Sequence, residues 1–181
     1  MDLIKRYGTN FKVSFSISGS ALEQFALHAP EVIESFKELA KTGSVEFLAE
    51  TYAHSLASLS DTDEFERQVQ RHAAKMEELF GQKPVTLRNS SLIYSDQIGE
   101  RVAAMGFESM LTDGAKHVLG WKSPNFVYTN VMNPRLKLLL KNSRLSDDLT
   151  LRFSDHSWHE WPLTADKYAR WLKDSTQDSE I

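Results

Sequence analysis

Three times between residues 11 and 106, a short stretch with apolar side chains at every second position gives way to one with apolar side chains at every third or fourth. Residues 11–18 alternate Phe11, Val13, Phe15 and Ile17 with Lys12, Ser14, Ser16 and Ser18, the period of a half-buried strand. Gly19 permits a sharp exit, residues 21–29 continue as helix, and Pro30 suits the first turn of another helix, which carries Ile33, Phe36, Leu39 and Ala40 and stops at Gly43. Residues 45–51 predict a second strand, and Phe65, Val69, Ala73, Met76 and Leu79 mark one helical face ending at Gly81. A third strand is predicted over 85–90, limited on its N-terminal side by Pro84. Ser95 then serves as N-cap, Asp96 complements the helix dipole, and Ile98, Val102 and Met105 form the buried stripe before Gly106. Strands separated by helices pair in parallel through crossovers, so the pattern demands an α/β sheet or barrel.

The remainder is less regular. A strand over 108–112 leads into the polar and aromatic loop DGAKHVLGWKSPN, and residues 126–131 and 136–141 predict two further strands. Residues 145–154 are expected to be extended or looped around Asp147 and Asp148, and 164–173 to form a last helix on Tyr168, Trp171 and Leu172. At 181 residues, 41% of them hydrophobic, the chain suffices for one core, which places one domain over 1–173 and a frayed polar tail over 174–181.

Charge excludes some partners. The net charge of -4 and the scatter of the 21 basic residues give no electrostatic footprint for nucleic acid. With no cysteine there is neither a disulfide framework nor a thiolate site. No apolar run is long enough to span a bilayer and MDLIKRYGTN lacks an apolar signal core, so the expectation is a soluble cytoplasmic protein with no membrane partner.

The chemistry is expected at TLRNSSLIYSD, residues 86–96, which sets Asn89, Ser90 and Ser91 at the C-terminal mouth of a strand. The neighbouring strand ends add Ser18 to Ser20, then Glu50, Tyr52 and His54, then Asp113, Lys116 and His117, then Asp147 and Asp148. Such a rim of carboxylates, imidazoles and hydroxyls suits sugar recognition, and Trp121, Trp158 and Trp161 serve either as sugar platforms or as packing groups. A glycosidase needs two carboxyl groups flanking the scissile bond. A metal-dependent deacetylase needs an aspartate and a histidine pair on one cation. His54 opens HSLASL, which has no second histidine one helical turn on, and His156 and His159 lie in a tryptophan-rich segment, so no metal centre is predicted.

The stretches FKVSFSISGSALEQF, VEFLAETYAHSLASL, FGQKPVTLRNSSLIYSDQIG, MGFESMLTDGAKHVLGWKSPN and LKLLLKNSRLSDDLTLRFSDHSWHEWPLTADKY together resemble the α-amylase branch of glycoside hydrolase family 57. The resemblance covers almost the whole chain. It implies an incomplete (β/α)7 barrel of mostly parallel strands and a retaining attack on α-glucosidic bonds of starch- or glycogen-like polymers, without a metal or organic cofactor. Arg88, Asn89 and Ser90 match the triplet that precedes the family's glutamate nucleophile, yet the next residue here is Ser91. The acid/base aspartate falls in LSDD, at Asp148 with Asp147 as the alternative. Glu50, Tyr52 and His54 match the segment that lines the sugar site, and Arg88, Asn89, Asp113 and Trp121 complete the expected substrate-binding set.

Two further departures concern the ends. The family's opening strand with its His-Gln-Pro type motif would precede Met1, and its last conserved region would follow the Thr164 helix, so the resemblance implies a fragment or a truncated product with unpaired sheet edges and poor solubility. The expectation is an α-glucan protein with little or no hydrolytic activity; the alternatives are a non-catalytic α-glucan-binding protein and, less favoured, a metal-dependent carbohydrate deacetylase.

Overall fold

The structure, a computed structural model, describes residues 2 to 177. Six short strands form it: β1 (Val13–Phe15), β2 (Val45–Phe47), β3 (Thr86–Arg88), β4 (Ser109–Asp113), β5 (Val127–Thr129) and β6 (Lys137–Lys141). β1 pairs with β2, and β3, β4 and β6 pair in that order, all in parallel; β5 runs antiparallel on the far side of β6. A parallel bridge from Ala49 to Leu87 joins the two groups into one row. Among the described residues β1 and β5 have no further strand partner, so the row is an open, mostly parallel α/β sheet and not a closed barrel.

β1 is shorter than the alternation over 11–18. Only Val13, Ser14 and Phe15 find register partners, in Val45, Glu46 and Phe47. Beyond them the carbonyl of Ile17 is taken by the side chain of His72, and Ser18 turns to cap the next helix.

Eight helices accompany the described strands: α1 (Asp2–Tyr7), α2 (Gly19–His28), α3 (Pro30–Ala40), α4 (Thr62–Phe80), α5 (Asp96–Ala104), α6 (Lys116–Leu119), α7 (Ser143–Thr150) and α8 (Ala165–Gln177). Side chains close their first turns. Ser18, Asp61, Ser95 and Asn142 accept from the N–H groups of Ala21, Glu64, Ile98 and Leu145, respectively. At about 1.5 Å per residue, α4 is roughly 28 Å long and splints the molecule. Its Phe65 and Val69 belong to a core with Leu87, Val102 and Met110, while its Met76 and Phe80 belong to a second with Leu22, Ile33 and Phe47.

Several expectations are corrected. Residues 145–154 are not extended: 143–150 form α7, because Asn142 caps it and Leu145 and Asp148 supply its buried face. The last helix runs on through Gln177 instead of fraying at Asp174, and the rest of the expected tail, 178–181, lies outside the described residues. The buried stripe of α4 passes through His72 and Phe80, one position from the expected Ala73 and Leu79.

Candidate functional site

Glu50 follows β2 and is 2% exposed. Ser16 donates its hydroxyl to Glu50 Oε2 at 2.6 Å, Arg88 Nη1 lies 3.7 Å from the same oxygen, and His54 Nδ1 lies 3.7 Å from Oε1. The main-chain N–H of Glu50 donates to Nδ1 of His72, and Nε2 of that ring is 2.8 Å from the carbonyl of Ile17. Nδ1 therefore accepts, Nε2 carries the proton and donates, and the imidazole is neutral. Burial lowers the His72 pKa below its ordinary 6.5, against the raising effects of the Ile17 hydrogen bond and Glu50. The ring locks the end of β1 to the end of β2, and the sequence signal for it was the spacing Val69, His72, Met76 on one helical face.

The segment after β3 is a tight turn. Asn89 is fully enclosed; its Oδ1 accepts from the N–H of Ser90, and its Nδ2 donates to Ser58 Oγ and to the carbonyl of Ile93. Its amide therefore shapes the loop. Ser90 is also buried and bonds Thr51 at 2.9 Å. Ser91 is exposed at φ 54° and ψ 20°, and Leu92 follows at φ 55°. Two successive non-glycine residues in the left-handed region are held there by these bonds against intrinsic strain, and His54 adopts φ 53° as well.

Ser91 lines a cavity of about 470 Å³ with Thr112, Asp113, His117, Tyr128 and Leu140. Asp113 ends β4 and accepts from Ser143 at 3.2 Å. The wall is fixed by Tyr94, which donates to Asp96 at 2.8 Å and accepts from buried Asn130. Burial, reinforced by the Asp96 hydrogen bond, pushes the Tyr94 pKa up to about 12, so the hydroxyl stays a donor. Among the described residues the Ser91 hydroxyl has no hydrogen-bond partner.

Asp148 stands elsewhere. It is 4% exposed on α7, paired with Arg152, and lines a cavity of about 590 Å³ with Arg144, Trp158, His159 and Trp171. The Ser91 and Asp148 cavities share no lining residue. Asp147, the preceding residue of α7, lies 3.4 Å from Lys141 at the end of β6.

The other candidates are scattered. The Tyr52 hydroxyl donates to Glu23 at 2.6 Å and its ring is covered by the Arg71 guanidinium at 3.7 Å. Burial and Glu23 raise its pKa. Trp121 is 92% exposed, in the loop after α6. Among the described residues no three His, Asp or Glu side chains converge as a metal ion would require.

The sequence pattern of Glycosyl hydrolase family 57 matches residues 1–181, the full chain. The chain belongs to glycosyl hydrolase family 57. A relative in Methanocaldococcus jannaschii, named "Putative alpha-amylase", is 45% identical over 173 residues, which is 95% of this chain and 36% of the relative. The chain thus spans about a third of the length of that curated relative. The 4-alpha-glucanotransferase of Thermococcus litoralis superposes with a TM-score of 0.78 at 14% identity, over 98% of this chain and 26% of that one. A protein of Mycobacterium smegmatis named "putative polysaccharide deacetylase" superposes at 0.66 with 20% identity, over 98% and 56%. At these identities the two structures share the fold of the family-57 chain, an incomplete (β/α) barrel with Ser91 at the mouth of its third strand.

Proposed function

We propose that this family-57 chain binds α-glucan and does not hydrolyse it. The observation that carries the reading is the hydroxyl of Ser91 at the position after Arg88-Asn89-Ser90, where the family places its attacking carboxylate. In the retaining reaction that carboxylate attacks the anomeric carbon, stabilises the oxocarbenium-like transition state and later leaves. A serine hydroxyl without a base does none of these, and a sugar ether on serine would not leave. Loss of a nucleophile that works as part of a unit costs on the order of 10⁴ to 10⁶ in kcat, about 5 to 8 kcal/mol of barrier.

Neither Glu50 nor Asp148 substitutes for it. Glu50 is enclosed by Ser16, Arg88 and His54, and Asp148 lines the other cavity. Retention of glucan binding is supported by family membership and by Ser91, Asp113 and His117 in the wall of an otherwise largely apolar cavity. We place the protein in the cytoplasm, as the composition suggests; among the described residues no helix is long and apolar enough to cross a membrane.

The test is release of reducing sugar from soluble starch by the purified protein, beside calorimetric titration with maltooligosaccharides. Binding without product is expected, and hydrolysis at the rates of active family members would defeat the reading. A Ser91→Glu change made in the longest available form of the protein is the complementary rescue.

A further inference from the structure

The strand registers divide the sheet into two faces that offer different chemistry. Register partners share a face, so Met110 with Leu138, Thr112 with Leu140 and Tyr128 with Leu138 stand on one side, and Met110 and Leu138 join the core with Val102 of α5. Arg88 follows Leu87, a member of that core, and Glu50 follows Ala49, which bridges Leu87, so this guanidinium and carboxylate belong to the opposite face. The Ser91 cavity, with Thr112, Tyr128, Leu138 and Leu140 in its wall, therefore lies on the helix side of the sheet, away from the paired Glu50 and Arg88.

The space is open because little helix covers it. α4 has 19 residues and α5 has 9, whereas α6, which follows β4, has 4, only about 6 Å of helix. What remains is a cavity of about 470 Å³, the size that holds a small ligand.

Its two tyrosines offer rings and not hydroxyls. The Tyr94 hydroxyl donates to Asp96 and accepts from Asn130, and the Tyr128 hydroxyl donates to the carbonyl of Ser123 at 2.7 Å. Leu119, Leu138 and Leu140 add aliphatic surface. Polar capacity is left at Ser91 and His117, whose side chains have no partner among the described residues, and at Asp113 Oδ2, since Ser143 takes only Oδ1. A bare glucan filling this space would press hydroxyls against leucine and lose their hydration without replacement. An apolar group loses nothing there and gains by leaving water.

We infer that the Ser91 cavity is an aglycone pocket: it takes the apolar group of an alkyl or aryl α-glucoside, while Ser91, Asp113 and His117 meet hydroxyls of the attached sugar. This rests on the reading of the chain as a glucan binder. It gives that binder a preference for glucosides that end in an apolar group over glucans of the same length.

The experiment is calorimetric titration of 4-nitrophenyl α-maltoside, and of maltotriose, which carries a glucose in place of the aryl ring, into the full chain and into Val118→Asp and Ala115→Phe. Burial of the ring is expected to make the unaltered chain bind the nitrophenyl maltoside about 10-fold more tightly than maltotriose. Val118 lines the cavity and is 76% exposed, so a carboxylate there changes the wall without touching the core, and the affinity ratio is expected to fall to about one. Ala115→Phe fills the space and is expected to do the same, with a melting curve to check its fold. A full preference kept in both variants overturns the pocket. So does a nitrophenyl maltoside that binds no more tightly than maltotriose to the unaltered chain; if maltoheptaose binds in that case, the glucan-binding reading stands. No binding of any of the three sugars overturns both. Free 4-nitrophenol binding as tightly as its maltoside would show that the sugar adds nothing, and overturns the assignment to a glucoside.

Discussion

The main-chain N–H of Glu50 donates to Nδ1 of His72 over 3.3 Å, with the ring fully buried and its other nitrogen on the carbonyl of Ile17. One neutral imidazole thus satisfies a donor and an acceptor at the ends of two neighbouring strands, and so fixes the height at which Glu50 meets Ser16 and Arg88.

This contact predicts a pH dependence. Because burial holds the folded pKa of His72 below 6.5, the unfolded chain takes up the proton first as pH falls. The His72 contribution is complete above the unfolded pKa and is lost as pH falls from there through the folded pKa. Urea unfolding at pH 7.5 and 5.5 is expected to show a lower midpoint at 5.5, with the difference reduced in His72→Gln. An equal pH response in the two proteins would show that His72 is not the titrating group.

Gly19 opens α2 against the Tyr52 ring. A Cβ there would sit 2.5 Å from ring carbons that are already enclosed by Arg71 and anchored through Glu23. Gly19→Ala is expected to lose about 1–3 kcal/mol of stability by overpacking. Equilibrium unfolding measures it, and a change under 0.5 kcal/mol, roughly the scale of a neutral surface substitution, would mean that Tyr52 moves freely.

The strand–helix order and the parallel pairing were legible because Phe15, Val45, Phe47 and Leu87 keep the strand period and Val69 and Met76 the helical one. The turn at 86–96 was legible too, since Ser95 and Asp96 are a cap and a dipole partner wherever they stand. α7 was not. NSRLSDDL is mostly polar, and its helix depends on one cap, Asn142, and on a buried face that includes a charged residue, Asp148. The local roles of three expected sugar-binding residues were not legible for a related reason: the sequence gives no sign that Asn89 is taken up by its own loop, that Tyr52 is tied to Glu23, or that Trp121 faces solvent.

The α7 cap has its own consequence. Asn142 Oδ1 accepts from the N–H of Leu145 at 3.1 Å, so Asn142→Ala should destabilise the protein by about 1 kcal/mol, and by little more than a few tenths as Asn142→Gly. Thermal melting of the two variants gives the comparison. Equal losses would indicate that the Asn142–Asn125 contact outweighs the cap.

The backbone at Ser91 makes a separate prediction. At φ 54° a β-branched side chain is strongly disfavoured, so Ser91→Val should lower stability by about 1–2 kcal/mol, whereas Ser91→Gly should leave it unchanged or raise it. Unfolding midpoints in the order glycine, serine, valine are expected. A more stable valine variant would mean that the turn relaxes out of the left-handed region.

On the reading proposed for Ser91, no residue of this chain is expected to form a glycosyl ester, because a hydroxyl stands where the family places its carboxylate. Intact-mass measurement after incubation with an activated fluorinated α-glucosyl donor tests it most directly. The mass of the unaltered protein is expected to stay the same; a gain of one fluoroglucosyl unit on any side chain would show that a carboxylate of this chain still attacks the sugar.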